Sequence, residues 1–175
     1  MASNLNNKPF AVFSLPDTHT VLSHPDIGRI ILSAQNNGGG QISVSYNMDL
    51  SGHTQTASGY TVINKTVGHA GVVNVEVAQN SNNDKFLQTF IDKLERLHAS
   101  KFADGTLTLN DTASGYSISC SGVTPQKRPD RSYAQQSGTL QYSFLCANIK
   151  QDGGLLSSAD LNKLKGETTG SSANI

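Results

Sequence analysis

The chain has 175 residues, 15% of them charged, and its 13 basic and 13 acidic residues give a formal net charge of zero. The length predicts one domain with a core of its own, and the charge balance argues against a nucleic-acid reader, which needs clustered Lys and Arg. So little charge also protects the surface poorly against self-association. The polarity comes instead from Ser, Thr, Asn, Gln and Gly, which suit strands that meet other protein surfaces.

The first part of the chain predicts strands separated by turns. Apolar runs occur at Phe10–Leu15 and at 20–32, and His24-Pro25-Asp26 interrupts the second. Asn36 to Gly40 then predicts a turn, because Asn and Gly tolerate positive φ. After it, apolar and polar residues alternate with period two, which predicts a strand with one buried face. The apolar positions of this strand are Ile42, Val44, Tyr46, Met48 and Leu50.

A long hairpin with a projecting tip is predicted next. Ser51–Gly59 is polar and bounded by glycine, and Tyr60–Val67 is rich in β-branched residues. Such an arm has no partner inside its own domain. Its candidate contact residues are Gly52, His53, Thr54, Gln55 and Thr56, and the family resemblance given below implies that they meet a neighbouring subunit.

One amphipathic helix follows the strand Val72–Ala78. Apolar residues recur there at helical spacing, with charged residues on the other faces. Ser81 with Asp84 three residues later resembles a capping box. We expect the helix to cover the sheet or the mouth of a barrel with a buried stripe. The stripe consists of Phe86, Leu87, Phe90, Ile91 and Leu94.

The carboxyl-terminal half returns to strands at Thr106–Leu109, Tyr116–Val123 and Thr139–Cys146. Cys120 and Cys146 share parity with apolar neighbours and are interpreted as buried thiols, with a disulfide between them as the alternative. The predicted fold is mainly β, an antiparallel β-barrel or sandwich with one flanking amphipathic α-helix. It comprises a domain over residues 1–154, then a short helix and polar tail over 155–175.

No motif for catalysis or cofactor binding emerges. The five histidines lack metal-ligand spacing, and Gly38-Gly39-Gly40 lacks the Lys and Ser/Thr of a phosphate-binding loop. We therefore predict no catalytic, metal-binding or cofactor-binding residues, no cofactor and no enzyme activity. No apolar run approaches the roughly 20 residues of a membrane span. The amino-terminal residues lack a secretory core, so we expect synthesis in a cytoplasm.

Several segments resemble the phage tail tube proteins, including a family long described only as phage proteins of unknown function. They are Gly71–Ser81, the helix with Asn83 and Leu87, Gln126–Ala134, and Gly138–Phe144.

The resemblance implies a tail-tube-like fold in a structural virion protein. Six copies would form a ring, and stacked rings would form the tail tube that conducts DNA during ejection. The arm would then reach a neighbouring ring. Further partners would be other tail proteins such as sheath, baseplate and tape measure, and the location would be the virion tail, assembled in the host cytoplasm.

Two alternatives stay open on sequence alone. The inner tube of a phage-derived injection system shares the ring fold. A carbohydrate-binding β-sandwich normally presents exposed aromatics for stacking on sugars, whereas this chain is 6% aromatic and has no Trp.

Overall fold

A computed structural model of the protein describes residues 18–33, 39–112, 114–134 and 138–153. The run Phe10–Leu15, the carboxyl-terminal helix and the domain boundary after residue 154 lie outside the described residues. The described residues contain nine strands and one α-helix in the following order: β1 (Thr18–His24), β2 (Gly28–Ser33), β3 (Gly39–Tyr46), β4 (Ser51–Gln55), β5 (Thr61–Lys65), β6 (Gly71–Ala78), α1 (Asn82–Glu95), β7 (Gly105–Asp111), β8 (Ser117–Lys127) and β9 (Thr139–Asp152).

Seven strands form one antiparallel sheet in the order β2-β1-β7-β8-β9-β6-β3, while β4 and β5 pair only with each other. The sheet curls into a half-barrel with one helix. The predicted fold class, mainly β with one flanking helix, is confirmed.

The core lies on the concave face of the sheet. Burial alternates strictly along β6, where Val73, Val75 and Val77 point inward. In the register with β9, Val75 lies opposite Tyr142 and Val73 opposite Phe144, and both rings are buried. The period-two patterns in the sequence therefore mark the faces that close this core.

Helix α1 begins at a cap that the sequence predicts. The Ser81 hydroxyl accepts a hydrogen bond from the Asp84 backbone N–H at 3.2 Å. The Asp84 carboxylate in turn accepts from the backbone N–H of Asn80 at 2.9 Å, one residue earlier than in the usual capping box. Asn80 has a φ of 65°, a conformation that Asn tolerates better than most residues.

The predicted helix stripe needs one correction. Leu87, Phe90, Ile91 and Leu94 are buried, but Phe86 is 53% exposed, so its assignment to the buried stripe is wrong. Each residue turns an α-helix by about 100°. The buried stripe is centred on positions 87, 90, 91 and 94, so the side chain of Phe86 lies at the edge of the stripe.

The strand predicted up to Leu50 also ends early. β3 stops at Tyr46, and Met48 and Leu50 are exposed. Only Ile42 and Val44 of that alternating run pack against the core. The apolar alternation continues past the domain into a projecting segment, so it does not mark a buried face there.

Both cysteines are buried on the concave face as free thiols. Cys120 lies opposite Ile149 in the register of β8 and β9, and Cys146 lies opposite Val123. The neighbouring Cys120 thiol, together with burial, raises the pKa of the Cys146 thiol. They therefore serve as small apolar residues in this core.

Candidate assembly surface

The most unusual surface is a β-arm, which we define as residues 47–70, connecting β3 to β6. Its strands β4 and β5 are antiparallel, with His53 opposite Ile63. Asn47 N–H donates to Ala70 O and Thr66 N–H to Leu50 O, both at 3.0 Å. The arm is thus a continuation of the β3–β6 hairpin, as the sequence predicts. β5 pairs with residues 51–55 rather than with the strand before them.

The tip of the arm is a closed turn. The Thr56 N–H donates to Tyr60 O at 2.8 Å, and the Gly59 N–H donates to Thr56 O at 2.9 Å. Gly59 has a φ of 81°, which glycine adopts without steric cost. The Thr56 hydroxyl adds a second hydrogen bond to Tyr60 O at 3.0 Å. Local interactions alone therefore define the shape of the tip.

Two glycines allow the chain to pass closely at the base of the arm. A Cβ on Gly68 would collide with the Met48 sulfur, and a Cβ on Gly71 would collide with the Ser45 carbonyl oxygen and the Ile149 side chain. The base also borders a cavity of about 640 Å³, which lies between the arm and β9 and includes Tyr46, Leu50 and His69 in its lining. The backbone segments at the base of the arm are thus closely packed, while a cavity separates the arm from β9.

The arm exposes apolar side chains that the domain does not cover. Tyr60 is 70% exposed, Ile63 66% and Val67 82%. Residues 51–65 include one formally charged side chain, Lys65. All five residues assigned to the arm contact, Gly52 to Thr56, lie on this segment and are exposed. An exposed apolar surface with little charge is typical of an interaction site.

The edges of the main sheet form a second candidate surface. β2 and β3 are its outer strands, and each pairs with one neighbour only within the part of the chain that the structure describes. An edge strand presents unpaired backbone N–H and C=O groups that can bind another strand. Ile31 on β2 is also exposed. The half-barrel therefore offers two complementary edges on opposite sides.

The convex face of the sheet is polar but nearly uncharged. On it, the Ser143 hydroxyl donates to the Asn74 side-chain oxygen at 2.7 Å across β9 and β6. Val72, Leu145 and Lys150 also lie on this face, and Lys150 is directly opposite Ser119 in the register of β8 and β9. The polar set that covers the middle of the face includes the charged residue Glu76. That set comprises Asn74, Glu76, Thr106, Thr108, Ser119, Ser121, Thr124, Gln141 and Ser143.

A polar cluster fastens the β8–β9 connection to the helix. Asp84 is only 2% exposed, and it accepts from the Tyr142 hydroxyl at 2.6 Å and from Arg131 at 2.7 Å. Burial and the hydrogen bond to Asp84 raise the pKa of Tyr142 to about 12. Although burial opposes its charge, Asp84 raises the pKa of Arg131. Nearer the end of the helix, Arg128 pairs with Asp92 at 2.6 Å and Glu95 at 2.8 Å.

Sequence reasoning missed this cluster, although Gln126–Ala134 belongs to the segments that carry the family resemblance. Asp84 and Arg131 are 47 residues apart, and no spacing rule connects them.

Within the described ranges, no group of three or more His, Cys, Asp or Glu side chains is arranged to hold a metal ion. No helix among the described residues is long and apolar enough to cross a membrane.

The comparisons with known proteins decide the family. Residues 11–154 match the family described as Bacteriophage PhiTE tail tube protein. The chain belongs to this tail tube family. The match includes the arm, the helix and both edges of the sheet, and it confirms the resemblance found in the sequence. No curated protein sequence matches the chain.

Solved structures show the same fold. The sheath–tube complex of an extracellular contractile injection system (PVC, extended state) contains a chain with a TM-score of 0.56 and 8% identity, and the match covers 87% of this chain and 98% of that one. A chain of the anti-feeding prophage baseplate gives a TM-score of 0.57 at 10% identity, over 85% of this chain and 100% of that one. A chain of the sheath/tube terminator of the PVC system gives a TM-score of 0.53 at 6% identity, and the match covers 83% of this chain and 99% of that one. At these identities the likeness shows the fold alone.

Proposed function

We propose that this tail tube family member assembles into hexameric rings, and that the rings stack into a tube through which DNA passes during ejection. Six copies per ring and DNA passage come from the family resemblance. The observation that best supports stacking is the β-arm, on which the apolar side chains of Tyr60, Ile63 and Val67 are exposed.

The arm supports contact between successive rings. A two-stranded ribbon is marginally stable in water, and β4 and β5 extend beyond the main sheet as a ribbon in which they pair only with each other. Placing Tyr60 and Ile63, which are exposed here, against a neighbouring subunit would remove apolar surface from water at about 25 cal/mol per Å². Stacking therefore supplies the stabilisation that the arm lacks alone.

The sheet edges support closure of each ring. β2 and β3 are different surfaces, so pairing β2 of one copy with β3 of the next is a head-to-tail contact. A head-to-tail contact generates a ring when its rotation closes. It also covers the edge strands that would expose a monomer to aggregation.

The convex face supports the passage of DNA. Each Lys or Arg along a channel adds a phosphate contact that retains DNA. This face carries mainly Ser, Thr, Asn and Gln on its central strands, with one acidic residue, Glu76, and one basic residue, Lys150, among them. We infer that this face lines the lumen, and a Lys- or Arg-rich lumen in an assembled tube would contradict that assignment.

The test is negative-stain electron microscopy of the purified protein at high concentration, with light scattering. Rings or tubes with a central hole are expected. Deleting Gly52–Ser58 should leave the domain folded but prevent stacking, and Ile63→Lys should do so without a change in length. Tyr133→Lys is the control, because Tyr133 is also exposed, at 81% against 66% for Ile63, but lies outside the arm. Normal tubes from both arm variants would contradict the role of the arm.

The phage tube is distinguished from an injection-system tube by its location. Mass spectrometry of purified virions should detect this chain in the tail fraction. Its presence only in DNA-free tubular particles would support the injection system instead. A glycan array tests the carbohydrate-binding alternative, for which specific sugar binding is required.

A further inference from the structure

The arm and the helix leave the sheet at opposite ends. Tyr46, the last residue of β3, lies opposite Gly71 at the start of β6, and the arm projects from that end. Ala78 at the other end of β6 leads into α1, which begins at Asn82. β6 has 8 residues, so about 25 Å separate the two ends. A head-to-tail stack that uses these ends as its contact faces places the arm end of one subunit against the helix end of the next.

The helix end carries a groove between α1 and the start of β2. Its volume is about 190 Å³, and Ile27, Ile30 and the 53% exposed ring of Phe86 lie along it. Arg29 and Lys93 also line this groove, and both are exposed. Its lining contains no acidic residue among those that the structure describes. The groove therefore offers an apolar surface beside two cations.

The acidic residues that flank this groove in the sequence already have partners. Asp26 pairs with Lys101 at 2.9 Å. Asp92 and Glu95 pair with Arg128 at 2.6 and 2.8 Å. Within the described ranges, the two cations of the groove form no ion pair. An acidic group from outside the subunit would therefore find both of them available.

The arm end presents the complementary chemistry in the Asp49 segment, which we define as residues 48–50. Asp49 is the one acidic residue of the arm, is exposed, and forms no ion pair among the described residues. Its neighbours Met48 and Leu50 are 47% and 69% exposed. An acid between two exposed apolar side chains matches a groove that combines exposed apolar surface with cations.

We propose that the Asp49 segment of one subunit docks in this groove of a subunit in the next ring. Asp49 pairs there with Arg29 and Lys93, and Leu50 covers the ring of Phe86. The proposal rests on the proposed stacking of rings, and it identifies the surface that receives the arm end. The arm then continues from this contact along the side of the receiving subunit.

The test is an exchange of charge between the two surfaces. The lowest protein concentration at which tubes form is measured by sedimentation and negative-stain electron microscopy for Asp49→Arg, Arg29→Asp and the double variant. Each single variant should raise this concentration at least about tenfold, because like charges then meet in the contact. The double variant should form tubes at a lower concentration than either single variant. Asp130→Arg, at a side chain that is 93% exposed and outside both surfaces, is the control and should leave the concentration unchanged.

A crosslinking experiment locates the contact without changing any charge in the groove. With p-benzoylphenylalanine at position 50, a mixture of ¹⁴N- and ¹⁵N-labelled protein should give crosslinks between chains to peptides that contain Ile30 or Phe86. Circular dichroism checks that every variant is folded.

Three results would overturn the contact: native tube formation by both single variants, a double variant no better than the single ones, or crosslinks to other surfaces. Each leaves stacking through the rest of the arm intact, since deletion of Gly52–Ser58 tests that separately. If the native chain forms neither rings nor tubes, the proposed function fails, and this contact fails with it.

Discussion

Two phenylalanines on adjacent turns of α1 allow a sharp test of how the helix packs. Phe90 is 3% exposed and contacts His24 edge-on, whereas Phe86 is 53% exposed. Replacing either with Ala makes the same change in helix propensity and removes the same atoms. Any difference in stability therefore measures burial.

The expected magnitudes follow from that burial. Phe90→Ala should lower the free energy of unfolding by about 3–5 kcal/mol, because it removes buried apolar surface and leaves a cavity. Phe86→Ala should cost less than about 1.5 kcal/mol, since half of its ring already contacts water. For a chain of this size, 4 kcal/mol corresponds to a Tm lower by roughly 8–16 °C.

The assay is urea unfolding followed by far-ultraviolet circular dichroism, at a concentration low enough to keep the protein monomeric. The chain has no Trp, so the backbone signal is the practical probe. Equal losses of stability in the two variants would refute the orientation of the helix. Unchanged stability in Phe90→Ala would refute its packing against the sheet altogether.

Three further predictions concern the polar cluster and the base of the arm. Tyr142 has a pKa of about 12 when folded, against 10.0 for the free side chain. Its contribution to stability is therefore complete below about pH 10 and is lost between about pH 10 and 12, amounting to about 2–3 kcal/mol. The free energy of unfolding should therefore fall less steeply between pH 10 and 12 in Tyr142→Phe than in the native chain, whereas the exposed Tyr60→Phe should keep the native slope. Identical pH profiles for the two variants would contradict the buried hydrogen bond. Arg131→Ala leaves the carboxylate of Asp84 buried without this ion pair and should cost about 1.5–3 kcal/mol. Arg128→Ala breaks only solvent-exposed pairs and should cost less. The reverse order in urea unfolding would be inconsistent with the cluster. Gly71→Ala should lower the free energy of unfolding by at least about 1 kcal/mol, because the added Cβ would overlap the Ser45 carbonyl oxygen and the Ile149 side chain. Gly52→Ala adds a Cβ that contacts nothing, so it should change the free energy of unfolding by no more than about 0.5 kcal/mol.

Sequence reasoning recovered the features that local pattern controls. Alternation placed Cys120 and Cys146 on the buried faces of β8 and β9, and helical periodicity with Ser81 located α1 and its cap. These succeed because a strand or helix that buries one face must repeat apolar residues at its own period. Phe86 failed because periodicity locates a stripe but not its margins.

The features that sequence reasoning missed depend on contacts between distant segments. Apolar alternation through Met48 and Leu50 is identical whether the residues face a core or a neighbouring molecule, so it could not show where β3 ends. The Asp84–Arg131–Tyr142 cluster joins three elements separated by up to 58 residues. Its only local signal is the Asp at the third helical position, which also serves as a cap. The end of β3 and the formation of this cluster both depend on contacts between segments that are distant in the sequence, which no local pattern reveals.

The distribution of charge explains why the whole chain has so little of it. Beside the helix, three of its acidic residues are held in ion pairs, since Arg131 binds Asp84 and Arg128 binds Asp92 and Glu95. The arm tip and the middle of the convex face are nearly free of charge. Burying a charge without a partner is costly, so surfaces that contact other subunits favour neutral side chains. The low charge content therefore combines ion pairs beside the helix with surfaces that carry little charge, an arrangement that would favour the proposed assembly through the arm and the sheet edges.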